Sequence, residues 1–435
     1  MRALLDALRG NALAAFPREA FFEDAVVQTF FGRRHFILNR PDAIHHVLVD
    51  QARNYAKAEA AARILRPMLG RGLFLSSGED WRQQRRTVAG GFAPRAVRLL
   101  AGNVAESLAE LTEELTRHEG RPLDLVPVFQ TLALEIIGRA IFSLDMKRHA
   151  PELRELILNY AARLGRPSLA DFVLPVGVPT PGDLGRRRFR RRWRRLVTQI
   201  ITERRAARGE ATGDGPPGDL FDVLAVAAQE DERPIERLGD QVATFIVAGH
   251  ETTASAMFWA CYLLASHPQV QERIAAEAQG FSLTVEDAAE TVPQLTYTRA
   301  VVDEVLRLYP PAFVITRQAA VDDFVAGIPV PRRSLILIAP WVIHRHRRFW
   351  NDPDRFDPER FMPDRPPPSR FAYLPFGTGP RTCIGSAFAL TELVLVLAIL
   401  MRTFRISLAP HEPVNPVGLT TVQPDRPPPF LLQRR

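Results

Sequence analysis

Phe376-Gly377-Thr378-Gly379-Pro380-Arg381-Thr382-Cys383-Ile384-Gly385 places a thiol between a glycine-rich turn and a run of helical character, Ser386 to Arg402. Glycines take backbone conformations that other residues avoid, and they let the chain approach a flat group closely. Free N–H groups and the dipole at a helix start stabilise a thiolate. Arg381, two residues before the thiol, adds positive charge. The other cysteine, Cys261, lies inside the apolar stretch Phe258 to Leu264 and reads as a small buried hydrophobe. Two cysteines so far apart and in such unlike contexts argue against a disulfide framework and for a reducing compartment.

Around this loop, 435 residues with 46% hydrophobic content can bury a large core. The net charge of +7 comes from arginine, which far outnumbers lysine, and points to an anionic partner or surface. Met1 to Asp24 carries Arg2, Asp6, Arg9, Arg18 and Glu19, which suits neither a signal peptide nor a spanning segment. No membrane anchor is expected, and Val242 to Ala265 and Leu393 to Leu400 read as buried helices. Helical periodicity runs over Ala96 to Arg117, Gln130 to Phe142, Pro151 to Leu164, Leu184 to Arg208, Leu220 to Gln229 and Glu236 to Ser266. Strand-like pieces are short: Val26 to Thr29, His35 to Leu38, Ile315 to Ala319, Leu335 to Ile338, and an end piece from Phe404 to Leu432. The expected fold is therefore mainly α with a small β region. Gly209 to Gly218 reads as a long surface loop in preference to a domain boundary, and the Pro-rich Arg365 to Ser369 as a meandering loop.

The cysteine loop, through Phe376, Gly377, Gly379, Arg381, Cys383 and Gly385, resembles the haem-binding loop of the cytochrome P450 family. Four further motifs stand in that family's order. Trp81 and Arg85 resemble its Trp-x-x-x-Arg segment. Ala248-Gly249-His250-Glu251-Thr252-Thr253 resembles the oxygen-activation motif, Glu304-Val305-Leu306-Arg307 the Glu-x-x-Arg signature, and Pro358-Glu359-Arg360-Phe361 the segment whose arginine completes an ion network. The resemblance implies one cytochrome P450 domain over residues 1–435, with haem b between the long central helix and the Cys-loop helix and Cys383 as the iron ligand. It implies that Trp81, Arg85, Arg317 and Arg381 hold the haem carboxylates, while Ala248, Gly249, Phe376 and Gly385 contact the cofactor. Glu251 and Thr252 are the catalytic pair that brings protons to the oxygen. Gly249 costs about 1 kcal/mol relative to alanine inside a helix, and close approach to haem or O2 supplies a reason. Glu304, Arg307 and Arg360 form the buried ion network. His250 has no assigned role, and His344 reads as structural.

The implied activity is insertion of one atom of O2 into a hydrophobic substrate such as a fatty acid, terpenoid or similar lipid. The alternatives are a peroxide-driven peroxygenase and a non-catalytic haem-thiolate sensor. No flavin or iron–sulfur segment is visible, so electrons are expected from a separate ferredoxin or flavodoxin, docking where Arg82 and Arg86 present positive charge. A cytoplasmic location is expected. Eight arginines between Gly185 and Arg195, interleaved with Phe189 and Trp193, form a run too long for one amphipathic face. It follows the apolar loop Phe172 to Val178 and fits a solvated basic helix, contact with anionic lipid headgroups, or, least well, nucleic acid, which is not expected as a partner.

Overall fold

In the computed structural model, which describes residues 10–30, 33–166, 168, 170–171, 174, 178–208, 219–229 and 231–435, helical periodicity becomes eleven helices of nine residues or more. They are α1 (Glu59–Leu69), α2 (Gly78–Ala89), α3 (Pro94–Thr116), α4 (Leu125–Phe142), α5 (Ala150–Asn159), α6 (Pro181–Arg208), α7 (Leu220–Ala228), α8 (Pro234–Ala265), α9 (Pro268–Gln279), α10 (Thr296–Leu308) and α11 (Ser386–Thr403). Arg2, Asp6 and Arg9, the loop positions Phe172, Val173, Pro175, Val176 and Gly177, and the Gly209 to Gly218 loop lie outside the described residues.

The longest helix, α8, starts on Pro234, whose missing N–H is no loss at the first position, and carries Glu236 in its first turn. Its middle is buried nearly all round, which explains its continuous apolar character. It packs on α4 and α11. Those two are also long and apolar enough to cross a membrane, with 67% and 61% of the relevant windows buried inside the fold, as core helices are. Expected and observed helix ends agree to within a few residues, except that α4 begins five residues before Gln130 and α5 changes to a π turn over Tyr160–Leu164. Two helices escaped the pattern: α1 carries Pro67, and α9 is short and largely polar.

The strands are β1 (Ala25–Phe30), β2 (Arg33–Leu38), β3 (Tyr55–Ala56), β4 (Ile315–Ala319), β5 (Asp323–Val325), β6 (Ile328–Val330), β7 (Leu335–Ile338), β8 (Phe404–Leu408), β9 (Pro416–Gly418), β10 (Val422–Pro424) and β11 (Phe430–Arg434). One sheet runs β1-β2-β7-β4-β3, with β2 parallel to β7 and His35 opposite Leu335. The end piece expected as one region forms four strands in two separate pairs, β8 with β11 and β9 with β10. Prolines at 416 and 424 and the run 427–429 cannot donate to a ladder, which keeps β9 and β10 to three residues. The β5–β6 hairpin, absent from the sequence reading, turns at Ala326-Gly327 with φ of 51° and 82°.

The arginine run is corrected by α6. Arg186, Phe189, Trp193, Leu196, Val197, Ile200, Ile201 and Arg204 recur at helical spacing and are buried, so the helix is amphipathic after all. Arg186 belongs to its inner face, where it makes a two-toothed ion pair with Asp171 (2.7 and 3.0 Å). Arg187, Arg188, Arg191 and Arg195 form the exposed stripe and have no ion pair among the described residues. Arg192 faces Glu152 (3.2 Å) and Glu155 (3.5 Å) of α5.

The Glu304–Arg307 pair fixes the approach to the cysteine loop. Both side chains are fully buried, and all five guanidinium N–H groups are used. Nε and Nη2 donate to the two Glu304 oxygens (2.6 and 2.8 Å), Nη1 to the carbonyls of His344 (2.8 Å) and Pro353 (2.6 Å), and Nη2 also to that of Arg355 (3.0 Å). Arg360, expected to complete the network, pairs with Glu304 through its Nε at 3.6 Å, while its Nη2 donates to the Asp352 carbonyl (3.0 Å). The backbone N–H of Asp357 sits closer to the same carboxylate (2.8 Å). Removing one partner of a buried pair leaves the other unpaired, so Arg307→Leu is expected to lower the unfolding free energy by about 3–5 kcal/mol. Arg360→Leu should cost less, because its contact with Glu304 is longer (3.6 Å) and its buried Nε makes no hydrogen bond among the described residues. Urea denaturation of both variants checks the ranking, and equal losses would refute it.

Candidate active site

The chain enters the cysteine loop under control of His344. Its ring accepts the Leu374 N–H at Nε2 (2.7 Å), so Nδ1 carries the proton donated to the Arg307 carbonyl (3.1 Å). Burial pushes this imidazole down to about 3, which keeps it neutral. Leu374 then accepts the Gly377 N–H (3.1 Å), and the Cys383 N–H closes the loop on the Phe376 carbonyl (2.9 Å). Gly379 has φ +74°, and a Cβ there would fall 2.1 Å from the Leu48 carbonyl oxygen. That carbonyl belongs to a π turn, His46–Asp50, so only glycine lets the two segments meet. The Cys383 thiol is accessible although protein surrounds it: burial pushes it up, while the Gly385 N–H and Arg85 pull it down.

Positive charge collects beside it. Trp81 and Arg85 share one face of α2, and the Arg381 guanidinium lies 4.5 Å over the Trp81 ring while donating to the Ser76 carbonyl (2.8 Å). Arg317 projects from β4, and burial together with Arg381 pushes it down to about 10. The structure adds Lys57, which the sequence reading missed. Burial pushes its ammonium well down, Arg381 and Arg317 push the same way, and it sits 3.4 Å over the Phe74 ring. A lysine directly after a two-residue strand carries no periodic or motif signal. None of Lys57, Arg85, Arg317 and Arg381 forms an ion pair among the described residues. Cations gathered without acids, next to a thiol, are the donor set for a planar group with two carboxylates. The residues therefore fit haem b.

Along the buried middle of α8, residues 241–261, the accessible positions are Val247, Ala248, Gly249 and Thr252. Phe92 links this helix to the Cys-loop helix, its ring 5.6 Å from Phe245 and 6.3 Å from Phe388. Gly249 also meets a packing constraint that the sequence reading did not include: a Cβ there would fall 2.5 Å from Ile137 of α4. Thr252 donates its hydroxyl to the Ala248 carbonyl (2.6 Å), bonding back onto its own helix. Glu251 is 4% exposed, and one of its oxygens accepts from Thr420 Oγ1 (2.6 Å) and Gln423 Nε2 (2.7 Å). The structure thus joins Glu251 to the β9–β10 hairpin, two residues no sequence motif marked, and not to Thr252.

The family model for Cytochrome P450 matches residues 18–432. A putative cytochrome P450 132 of Mycobacterium bovis is 32% identical over 90% of this chain and 86% of its own length. Cyclooctatin synthase of Streptomyces melanosporofaciens is 34% identical over 86% and 81%. Pentalenene oxygenase of Streptomyces avermitilis is 31% identical over 88% and 84%. The crystal structure of the cytochrome P450DA heme domain superposes with a TM-score of 0.79 at 23% identity, covering 95% of this chain and 90% of that one.

His250 is fully buried with neither ring nitrogen hydrogen-bonded, and burial pushes it down to about 3 from 6.5. The unfolded chain therefore takes a proton there at a pH where the fold does not. Stability is complete above about pH 6.5 and is lost as pH falls toward 3, at about 1.4 kcal/mol per pH unit. His250→Leu should remove that slope and raise stability at pH 7 by about 1 kcal/mol. Urea midpoints between pH 7 and 4 read both effects, and an unchanged slope would exclude this titration.

Proposed function

This chain belongs to the cytochrome P450 family and is a monooxygenase of that family, and we propose that it hydroxylates cyclic hydrocarbons or alkenols of terpenoid type with electrons from a separate ferredoxin or flavodoxin. The reading of a haem-thiolate enzyme is carried by one observation: an accessible thiol beside Arg85 and the Gly385 N–H, with cations nearby that no acid among the described residues neutralises. Haem, when bound, supplies O2 activation through its thiolate-ligated iron. The protein's own part is to hold the thiolate, to neutralise two carboxylates through Lys57, Trp81, Arg85, Arg317 and Arg381, and to keep Glu251 as a buried proton source beside the accessible Ala248 and Thr252 window. We read residues 1–435 as one domain working in the cytoplasm.

The substrate class is supported by relatives whose names state cyclic compounds, cyclooctat-9-en-7-ol 5-monooxygenase at 32% identity and pentalenene oxygenase at 31%. Apolar segments at Ala312 to Ile315 and near Leu419 suit such a ligand. Arg86, exposed on α2, and Arg82, shared with Glu79 at 2.8 Å, are the proposed contacts for an acidic electron donor. The exposed stripe Arg187, Arg188, Arg191 and Arg195 is the proposed contact for anionic headgroups.

Spectral titration of the ferric protein with pentalenene, geranylgeraniol and lauric acid tests the substrate. Displacement of the iron-bound water by pentalenene and not by lauric acid is the expected result, and the reverse order would transfer the enzyme to fatty acids. Cys383→His should abolish the thiolate type of ferrous–CO spectrum, and a variant that kept it would remove the reading altogether. Charge reversal on each face has its own readout at low salt. Arg82→Glu with Arg86→Glu should slow reduction by ferredoxin, and reversal of the four α6 arginines should end co-sedimentation with phosphatidylglycerol vesicles. Unchanged reduction or unchanged sedimentation would eliminate the corresponding contact.

A further inference from the structure

Neither member of the proton-carrying pair points at the other. Adjacent residues on a helix do not face each other, and here each side chain is also bonded elsewhere. Thr252 is bonded back to Ala248, and Glu251 is bonded to the hairpin. Both hairpin donors reach the same Glu251 oxygen, and no other hydrogen bond reaches this carboxyl among the described residues. The hairpin itself is anchored. The Val422 carbonyl accepts from Ser255 Oγ (2.5 Å) and Trp259 Nε1 (2.9 Å), both on α8 one and two turns beyond Glu251. On its other side Asn11 accepts the Gly418 N–H (2.9 Å) and donates to the Pro416 carbonyl (3.2 Å). The flanks of the turn are thus fixed, and Leu419 and Thr420 at its tip are half-buried.

We propose that Thr420 and Gln423 are positioning residues that hold the Glu251 carboxyl in an off position, so that the β9–β10 turn governs when this acid delivers protons. This rests on the monooxygenase reading. In the off position the carboxyl gives its acceptor oxygen to the hairpin and cannot serve Thr252. A bulky ligand pressing on Leu419 displaces the Thr420 hydroxyl and leaves the acid on the single Gln423 bond, about which it can turn, while Ser255 and Trp259 keep the strand in place. Electrons then meet a competent proton donor only when the pocket is filled, which limits their waste on O2.

The test needs no substrate. With a chemical one-electron donor and O2, the double variant Thr420→Val, Gln423→Leu should consume O2 about tenfold faster than the parent, part of the roughly 10²–10⁴-fold that a positioned acid is worth. Thr420→Ser, which keeps a hydroxyl, should restore the parental rate when Gln423 is retained. In a Glu251→Gln background the double variant should change nothing, because the residue it releases is gone. Infrared spectra of the ferric protein give a reading independent of turnover. The carboxyl band that disappears in Glu251→Gln should shift toward a weaker hydrogen bond in Thr420→Val, Gln423→Leu. An unshifted band, or an equal gain of O2 consumption without Glu251, would overturn the latch. A protein that shows no thiolate-type ferrous–CO spectrum would instead remove the monooxygenase reading on which it rests.

Discussion

The Arg307 guanidinium is the piece on which the placement of the thiol depends. Its five donors satisfy Glu304 and three backbone carbonyls from the 344–355 stretch, so one side chain ties α10 to the chain that leads into the cysteine loop. A guanidinium is suited to this because it is planar, always charged and pre-organised, whereas a lysine offers only a point charge. The carbonyl of the same arginine receives His344, whose other nitrogen fixes Leu374. The ion pair and the Cys383 loop are thus joined by a short sequence of hydrogen bonds. Burying two charges costs more than a hydrophobic pair of the same shape would, and what this fold obtains in exchange is register: the loop can enter at only one height.

The same contrast between satisfied and unsatisfied charge organises the site. Glu304 and Arg307 complete each other, while burial, and then Arg381 and Arg317, push Lys57 down, burial and Arg381 push Arg317 down, and none of the three has an ion pair among the described residues. A protein bears that repulsion where an anionic group is to bind, since each unpaired donor is available to it. Arg85 and the thiol form the smaller version of this arrangement, each shifting the other toward its charged form.

Much of this was legible in the sequence. The periodic helices, the β4 and β7 strands, the Glu304–Arg307 turn and the cysteine loop all follow from local pattern, because a helix face and a glycine at positive φ leave marks within a few residues. What escaped was set by contacts between distant segments. The close packing of Gly249 on α4 left no mark in the motif, because the Ile137 that a Cβ would meet lies on another helix. The arginines of α6 looked like one charged surface, and only the packing of Trp193 and Leu196 separates Arg186 from its neighbours. Arg360 pairs with Glu304 at 3.6 Å as the family pattern implies, but the Asp357 N–H that sits closer to the same carboxylate belongs to no motif. Lys57, Thr420 and Gln423 belong to no motif, since a polar side chain at the end of a short strand is neutral until the fold brings a partner to it.

Gly379 and Leu48 meet at the rim of the cysteine loop, and Arg381 reaches Ser76 across 305 residues of chain. The thiol loop is therefore closed by the first fifth of the sequence, although it is made near the end of it. During synthesis the N-terminal segments wait, with their apolar faces exposed, for a loop that leaves the ribosome last. Contacts this far apart in sequence carry the full cost of closing the chain before they return any stability. A chain truncated shortly before residue 379 therefore loses the thiol together with α11 and the last four strands, and the Leu48 and Ser76 carbonyls are left without the loop that meets them.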